Sequence, residues 1–307
     1  MVRVIGFFIG LGFAGVLMIS FFVNLSENLS NPPEPSAEHE FHRHAKDLTL
    51  ASNGPFGKFD DRQLQRGFQV YAEVCAACHG LGQIAFRNLA DLGYNEPEIK
   101  KIAADWKTQV PSINPDTGEA AGRKATPADN FPQPYPNEVA ARAANNNAYP
   151  PDLSLITKAR EGGAAYVYSL ITGYQNPPAE LLKEFPGSKP GPGLHYNPYF
   201  ANLNIAMPPP LTTNGQVSYA DGTPASVDQM AKDVSAFLVW AGEPTLERRH
   251  AAGLAVSIFL AFATVLAYFA YRQLWYSAKR QVVKTGPLDP KNQAKSRSAK
   301  ADAGITG

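Results

Sequence analysis

Cysteine is almost missing from this sequence: only Cys75 and Cys78 occur in 307 residues. A single pair three apart excludes a disulfide framework, and a bridge across so short a loop would constrain little of the chain. No second Cys or His pair follows at finger spacing, which argues against a structural zinc site. The βαβ context of a thioredoxin-like redox pair is not found either. Methionine is scarce, at four, so there are few sulfur ligands to choose among. Charge is lacking from Val4 to Val23 and again from Ala251 to Tyr271. No constellation of general acid, base and nucleophile is visible, so the chain is not expected to be an enzyme on its own. With a formal net charge of +1, no nucleic-acid partner is expected.

What is present is Cys75-Ala76-Ala77-Cys78-His79, a Cys-x-x-Cys with a histidine directly after it. That spacing is the attachment signature of a c-type haem. The two thiols would add to the haem vinyl groups as thioethers, and His79 would ligate the iron. On a helical turn, positions i, i+3 and i+4 share a face, so all three side chains can meet one edge of the macrocycle. One such motif implies one haem c. Covalent haem is attached outside the cytoplasm, which places this domain on the periplasmic side of a bacterial inner membrane or an equivalent space.

The apolar residues concentrate at the two ends. Residues 1–25 are read as an N-terminal hydrophobic anchor or signal sequence; the uncharged run of 20 residues and the lack of an Ala-x-Ala site favour a retained anchor. Residues 26–55 form a linker rich in proline and charge, whose His39, His42 and His44 are expected to be solvated rather than metal-bound. Residues 56–247 are the haem domain. Residues 248–278 carry the C-terminal transmembrane anchor, with Tyr268, Tyr271, Trp275 and Tyr276 as an interfacial belt. Residues 279–307 make a basic tail, cytoplasmic by the positive-inside rule. From Asn24 to Glu247 there are 25 acidic and 17 basic residues, a balance that suits a basic docking partner as well as simple solubility.

Within the domain, Asp60 or Asp61 caps a helix whose apolar stripe Leu64, Phe68, Tyr71, Cys75 delivers the haem motif. Asn95 caps a second helix, with Ile99, Ile102, Ala103 and Trp106 on one face. Residues 107–136 read as a proline-rich loop, and Asn137 starts a short helix ending at Asn145-Asn146-Asn147. Asp152 is expected to open a helix that continues, past Gly162-Gly163, to Gly173. Asn214-Gly215 suggests a small hairpin, and Ser226 with Gln229 a capping box for the last core helix.

For the sixth iron ligand, Met1 and Met18 belong to the first apolar segment and Met230 lies on a helical core face. That leaves Met207, in Ile205-Ala206-Met207-Pro208-Pro209-Pro210, where three prolines stiffen the loop. His195 is the rival. Met/His ligation gives a higher potential than two nitrogens.

Longer motifs are more specific than the haem signature. Arg66 to Cys75 (RGFQVYAEVC), Ala143 to Ser154 (AANNNAYPPDLS), Ile205 to Leu211, and then Asp221 to Ala225, Ala231 to Val234 and Phe237 to Ala241 resemble, in order, segments of the cytochrome c1 family. Asn147 departs from the pattern, standing where glycine is usual. The resemblance covers roughly residues 56–280. It implies a mainly α fold: a class I-type cytochrome c helical core with long Pro/Gly-rich loops and a C-terminal transmembrane helix; the N-terminal apolar segment, read as a further transmembrane helix from its uncharged run, lies outside it. It also implies that Cys75 and Cys78 hold haem c, with His79 and Met207 axial and Pro151 against the ring. Arg160 and Tyr166 would meet a propionate. By the same resemblance, the chain is a subunit of the quinol–cytochrome c oxidoreductase (bc1) complex. It would work with cytochrome b and a Rieske iron–sulfur subunit and pass one electron to a soluble or membrane-bound cytochrome c. The complex would be a dimer in membrane lipid. The alternatives are another membrane-anchored c-type cytochrome, from an oxidase or a photosynthetic chain, and a haem enzyme with an open iron position.

Overall fold

A computed structural model describes residues 2–31 and 35–285 of the chain. Most of the basic tail, residues 286–307, lies outside the described residues. The described residues fall into two compact units: 2–31 and 35–51 with 59–244, and 52–58 with 245–285.

The first unit is built on two helices, α3 (Asp61–Glu73) and α9 (Val227–Gly242). The Asp60 carboxylate accepts from the N–H groups of Arg62 and Gln63, satisfying donors that the first turn cannot use. Leu64, Phe68 and Tyr71 are buried along one face, as their spacing requires. On α9, Met230, Val234, Phe237 and Trp240 are buried to the same degree. Ser226 caps α9 through the Gln229 N–H, but the Gln229 amide does not complete the box; it donates to Asp233 at 2.8 Å instead. Asp233 is fully buried and also accepts from Gln63 at 3.1 Å and Arg66 Nε at 2.9 Å, tying α9 to α3. The helices cross at Gly67, where a Cβ atom would stand 2.1 Å from the Asp233 carbonyl oxygen. An aromatic cluster of Phe68, Tyr71, Phe86, Trp106, Phe131 and Phe237 closes the core beside this crossing, with Phe86 and Phe131 centroids 4.1 Å apart.

Shorter elements surround this pair. Two of them, α4 (Glu96–Ala104) and α5 (Glu138–Ala144), start on the expected caps, Asn95 and Asn137. Residues 86–92 form a 3-10 helix stopped by Gly93, whose φ of +87° suits glycine. The 107–136 stretch is not all loop. Strand β1 (Val110–Ile113) pairs antiparallel with β2 (Ala120–Arg123), Val110 facing Arg123. In a two-stranded ladder each strand is an edge, so Pro111 costs less than its presence in the sequence suggests. Asp152 does not open a helix: α6 covers only Ile156–Ala159, and α7 (Gly163–Ile171) follows. Beyond α8 (Ala179–Glu184), the second small ladder is β3 (His195–Tyr196) with β4 (Asn204–Ile205), not a hairpin at Asn214-Gly215. Gly215 N–H is drawn instead to the Ala225 carbonyl at 2.7 Å.

The connector docks in part on the domain, while His39, His42 and His44 are exposed. After the apolar α1 (Val2–Ser30) and the short α2 (Ala37–Phe41), the chain lies along the domain with Ala37 and Leu50 buried. Arg43 N–H donates to Pro198 O at 2.7 Å and Lys46 N–H to Ser169 Oγ at 2.7 Å. The Lys46 ammonium donates to Thr172 Oγ1 at 2.8 Å and sits over the rings of Tyr168 and Tyr199. These partners offset the ordering of a polar segment, which composition alone does not reveal.

In the second unit, α10 (Leu246–Thr285) is long and apolar enough to cross a membrane, as α1 is in the first.

Candidate haem site

The haem motif sits where α3 ends. Val74 closes that helix, and Cys75–Ala77 form a single 3-10 turn in which the N–H groups of Cys78 and His79 both reach Cys75 O, at 3.1 and 2.9 Å. This tight turn brings Cys75, Cys78 and His79 together. The two thiols are not bonded to each other. Burial, and secondly the neighbouring Cys78 sulfur, pushes the Cys75 thiol up to about 12.

His79 is oriented from the opposite strand of chain. Its Nδ1 lies 2.8 Å from the Pro151 carbonyl oxygen. A carbonyl can only accept, so Nδ1 carries the proton. Burial lowers the imidazole's affinity for a second proton, outweighing the Pro151 carbonyl and the Asp152 charge, which act in the other direction. The ring is therefore neutral with a lone pair at Nε2, the arrangement of a metal-ligating histidine steered by its other nitrogen. Two free thiols and one such imidazole in a single turn fit the donor set of a covalent haem.

The Pro151 carbonyl is held in place by a local clamp. Leu153 N–H donates to Gly80 O at 2.9 Å, Gln83 N–H to Ser154 Oγ at 3.1 Å, and Tyr71 OH to His79 O at 3.1 Å. Asp152 Oδ2 accepts from Gly82 N–H at 2.8 Å and Gln133 Nε2 at 2.9 Å, and its other oxygen from Ser154 N–H at 2.8 Å. Burial works to raise the Asp152 carboxyl, but these hydrogen bonds prevail and hold it below its ordinary value. A depressed carboxyl contributes stability above its unfolded pKa of about 4 and loses it as pH falls through the folded value. Asp152→Ala is accordingly expected to cost about 1–3 kcal/mol at neutral pH and to flatten the acid limb of the unfolding profile. An unchanged acid limb in urea titrations at stepped pH would show the clamp to be idle.

A second cluster is linked to the Met207 backbone through Tyr174. Arg160 hydrogen-bonds Tyr166, so the two expected propionate partners are brought together. Tyr166 is an electrostatic neighbour of Tyr174, whose hydroxyl donates to the Met207 carbonyl at 3.0 Å. Both phenols are shifted up, chiefly by burial. Met207 follows β4 by two residues, and its rival His195 stands on β3 directly opposite Ile205. One small hairpin thus carries both candidate ligands. Its turn holds Leu203 at φ +63°, an uncommon conformation for a branched side chain. His195 lines a cavity of about 450 Å³ with Tyr174, Tyr196 and Pro209. A larger cavity, about 910 Å³, opens beside Cys78 and is lined in part by Gln133, Tyr135 and Pro150. Tyr174 gave no signal in the sequence, because it belongs to no local pattern and reaches Met207 across 33 residues.

The departure at Asn147 is accommodated. Its φ is +62°, the left-handed value glycine would supply and asparagine tolerates. The turn is pinned on both sides, Asn147 N–H donating to Arg142 O and Arg142 Nη1 to Asn147 O, each at 2.9 Å. Asn147→Gly should leave thermal stability nearly unchanged, whereas Asn147→Val should cost about 1–2 kcal/mol. Equal melting temperatures for the two variants would contradict this.

The sequence profile of the Cytochrome C1 family matches residues 50–278. Cytochrome c1 of Rhodospirillum rubrum is 44% identical over 235 residues, covering 74% of this chain and 85% of that protein. The mitochondrial cytochrome c1 haem protein of Saccharomyces cerevisiae is 40% identical over 268 residues, covering 87% of this chain and 82% of its own length. The cytochrome b/c1 protein of Bradyrhizobium diazoefficiens is 46% identical over 237 residues, 72% of this chain but 34% of that longer protein. The match spans the clamp, the haem turn, the methionine hairpin and most of α10, and the chain belongs to the cytochrome c1 family.

Proposed function

We propose that this chain is the electron-transfer subunit of a quinol–cytochrome c oxidoreductase, holding one haem c through thioethers to Cys75 and Cys78. The observation that carries the reading is the Nδ1 contact of His79 with the Pro151 carbonyl, which presets Nε2 as a ligand within the same turn as two free thiols. When bound, the haem supplies a one-electron couple; the protein supplies attachment, ligand orientation and local charge. Met207, whose backbone carbonyl accepts from Tyr174, would be the second iron ligand. Pro151, which orients His79 through its carbonyl, would lie beside the haem. The Arg160 guanidinium, with Tyr166 as its neighbour, would pair with a propionate.

The electron would arrive from a Rieske iron–sulfur subunit and leave to a cytochrome c. A relative in which cytochrome b and c1 are one protein supports cytochrome b as a neighbour. The remaining partners and the dimeric state belong to the same reading. The haem domain would face the periplasm and the basic tail the cytoplasm. Mild detergent extraction and affinity purification of the tagged chain tests this. Haem b and a Rieske-type paramagnetic signal in fixed ratio to haem c are expected. Haem c alone, or with copper and high-spin haem, would replace this reading with that of a separate carrier or an oxidase subunit.

A further inference from the structure

Residues 52–58 form a folded knob that belongs with the C-terminal helix rather than with the domain on either side of it in sequence. Gly54 takes φ +80°, and Gly57 N–H returns to Gly54 O at 3.2 Å. The turn is so close that a Cβ on Gly57 would meet Ser52 O at 2.3 Å, so only glycine fits. Gly57 O is held by His250 Nδ1 at 3.1 Å. His250 is the residue just before the uncharged 251–271 run of α10. At about 1.5 Å of rise per residue, the hydrogen bond fixes the knob within a turn of the point where that run begins. At this height the knob presents Phe56, 73% exposed, with Lys58 and Arg248 also exposed.

Leaving Phe56 exposed forgoes its burial, and it shares its unit with two exposed cations, Lys58 and Arg248. Aromatic rings and basic side chains together suit the headgroup layer, where the ring meets acyl chains and the cations meet phosphates. We infer that the 52–58 knob is an interfacial anchor, with Phe56 seated in the lipid headgroup region and Lys58 and Arg248 on phospholipid phosphates. The inference rests on α10 spanning the bilayer, and continuity with that span argues for lipid over a protein partner as the occupant.

The haem-loaded full chain alone, in nanodiscs of phosphatidylcholine and phosphatidylglycerol, provides the test. With both native cysteines committed to haem, Phe56→Cys gives a single site for a nitroxide label. Collisions with oxygen, which partitions into lipid, are compared with those of a water-soluble nickel chelate. Val265→Cys, in the middle of the α10 span, and Val139→Cys, on the exposed surface of α5, serve as references. The oxygen-to-nickel ratio at 56 is expected to be several-fold above that at 139 and below that at 265, and to fall when Lys58 and Arg248 are both changed to Glu. A ratio at 56 equal to that at 139 overturns the anchor. So does shielding from both reagents, which would mean that protein covers the site. A water-like reading at 265 would instead remove the span itself, so the two failures can be told apart.

Discussion

Met207→Leu is expected to lower the reduction potential of the haem-loaded chain by a few tenths of a volt, within the roughly 0.8 V that axial ligation spans. Leucine keeps the volume of the side chain but has no sulfur lone pair. The change therefore isolates ligation from packing on a hairpin whose backbone is held by Tyr174 at 3.0 Å. The ferrous variant should bind carbon monoxide readily where the unaltered protein does not, because the sixth position is opened. Tyr174→Phe should move the potential the same way by a smaller amount, since the Met207 carbonyl then loses its donor while the sulfur remains. His195 provides the contrast. It sits opposite Ile205 on the same hairpin, and if it were the ligand, His195→Leu would produce the large drop and Met207→Leu almost none. A redox titration of the three variants separates the possibilities.

Gly67→Ala is expected to be among the most damaging small substitutions in the chain, costing about 3 kcal/mol or more, at or beyond the upper end of ordinary overpacking. One methyl group there would lie 2.1 Å from the Asp233 carbonyl oxygen and 2.7 Å from Phe237 Cβ. Neither is the flexible end of a side chain, so α3 and α9 must separate. Separation would also stretch the bonds of buried Asp233 to Gln63 and Arg66, leaving a carboxylate without its compensating partners. Because α3 ends in the haem turn, the damage should reach the Soret spectrum as well as the urea midpoint. An unchanged midpoint would mean that the crossing adjusts cheaply.

Several features were legible in the sequence because their physics is local. The caps at Asp60, Asn95, Asn137 and Ser226 act over two or three residues, so the residue types announce them. The stripe Leu64, Phe68, Tyr71 carries its period with it, and the uncharged runs that become α1 and α10 need only length and composition. The haem turn likewise depends on five consecutive residues. Where local rules competed with distant partners, the sequence misled. Asp152 looks like a helix cap, but Gly82 N–H and Gln133, 70 and 19 residues away, claim its carboxylate. Gln229 looks like half of a capping box, but buried Asp233 claims its amide.

The sequence by itself determined where the Cys-x-x-Cys-His motif stands, which runs are long and apolar enough to cross a membrane, and which helices make the core, since each is written in spacing or composition. Only the tertiary structure decided how these parts act on one another. Pro151 reaches His79 through a carbonyl, a group every residue has and no motif records. Tyr174 reaches Met207 across 33 residues, and the connector reaches α7 across 123 and more. Such contacts are fixed by where the packed helices leave each loop, and that placement is a property of the whole core rather than of any segment.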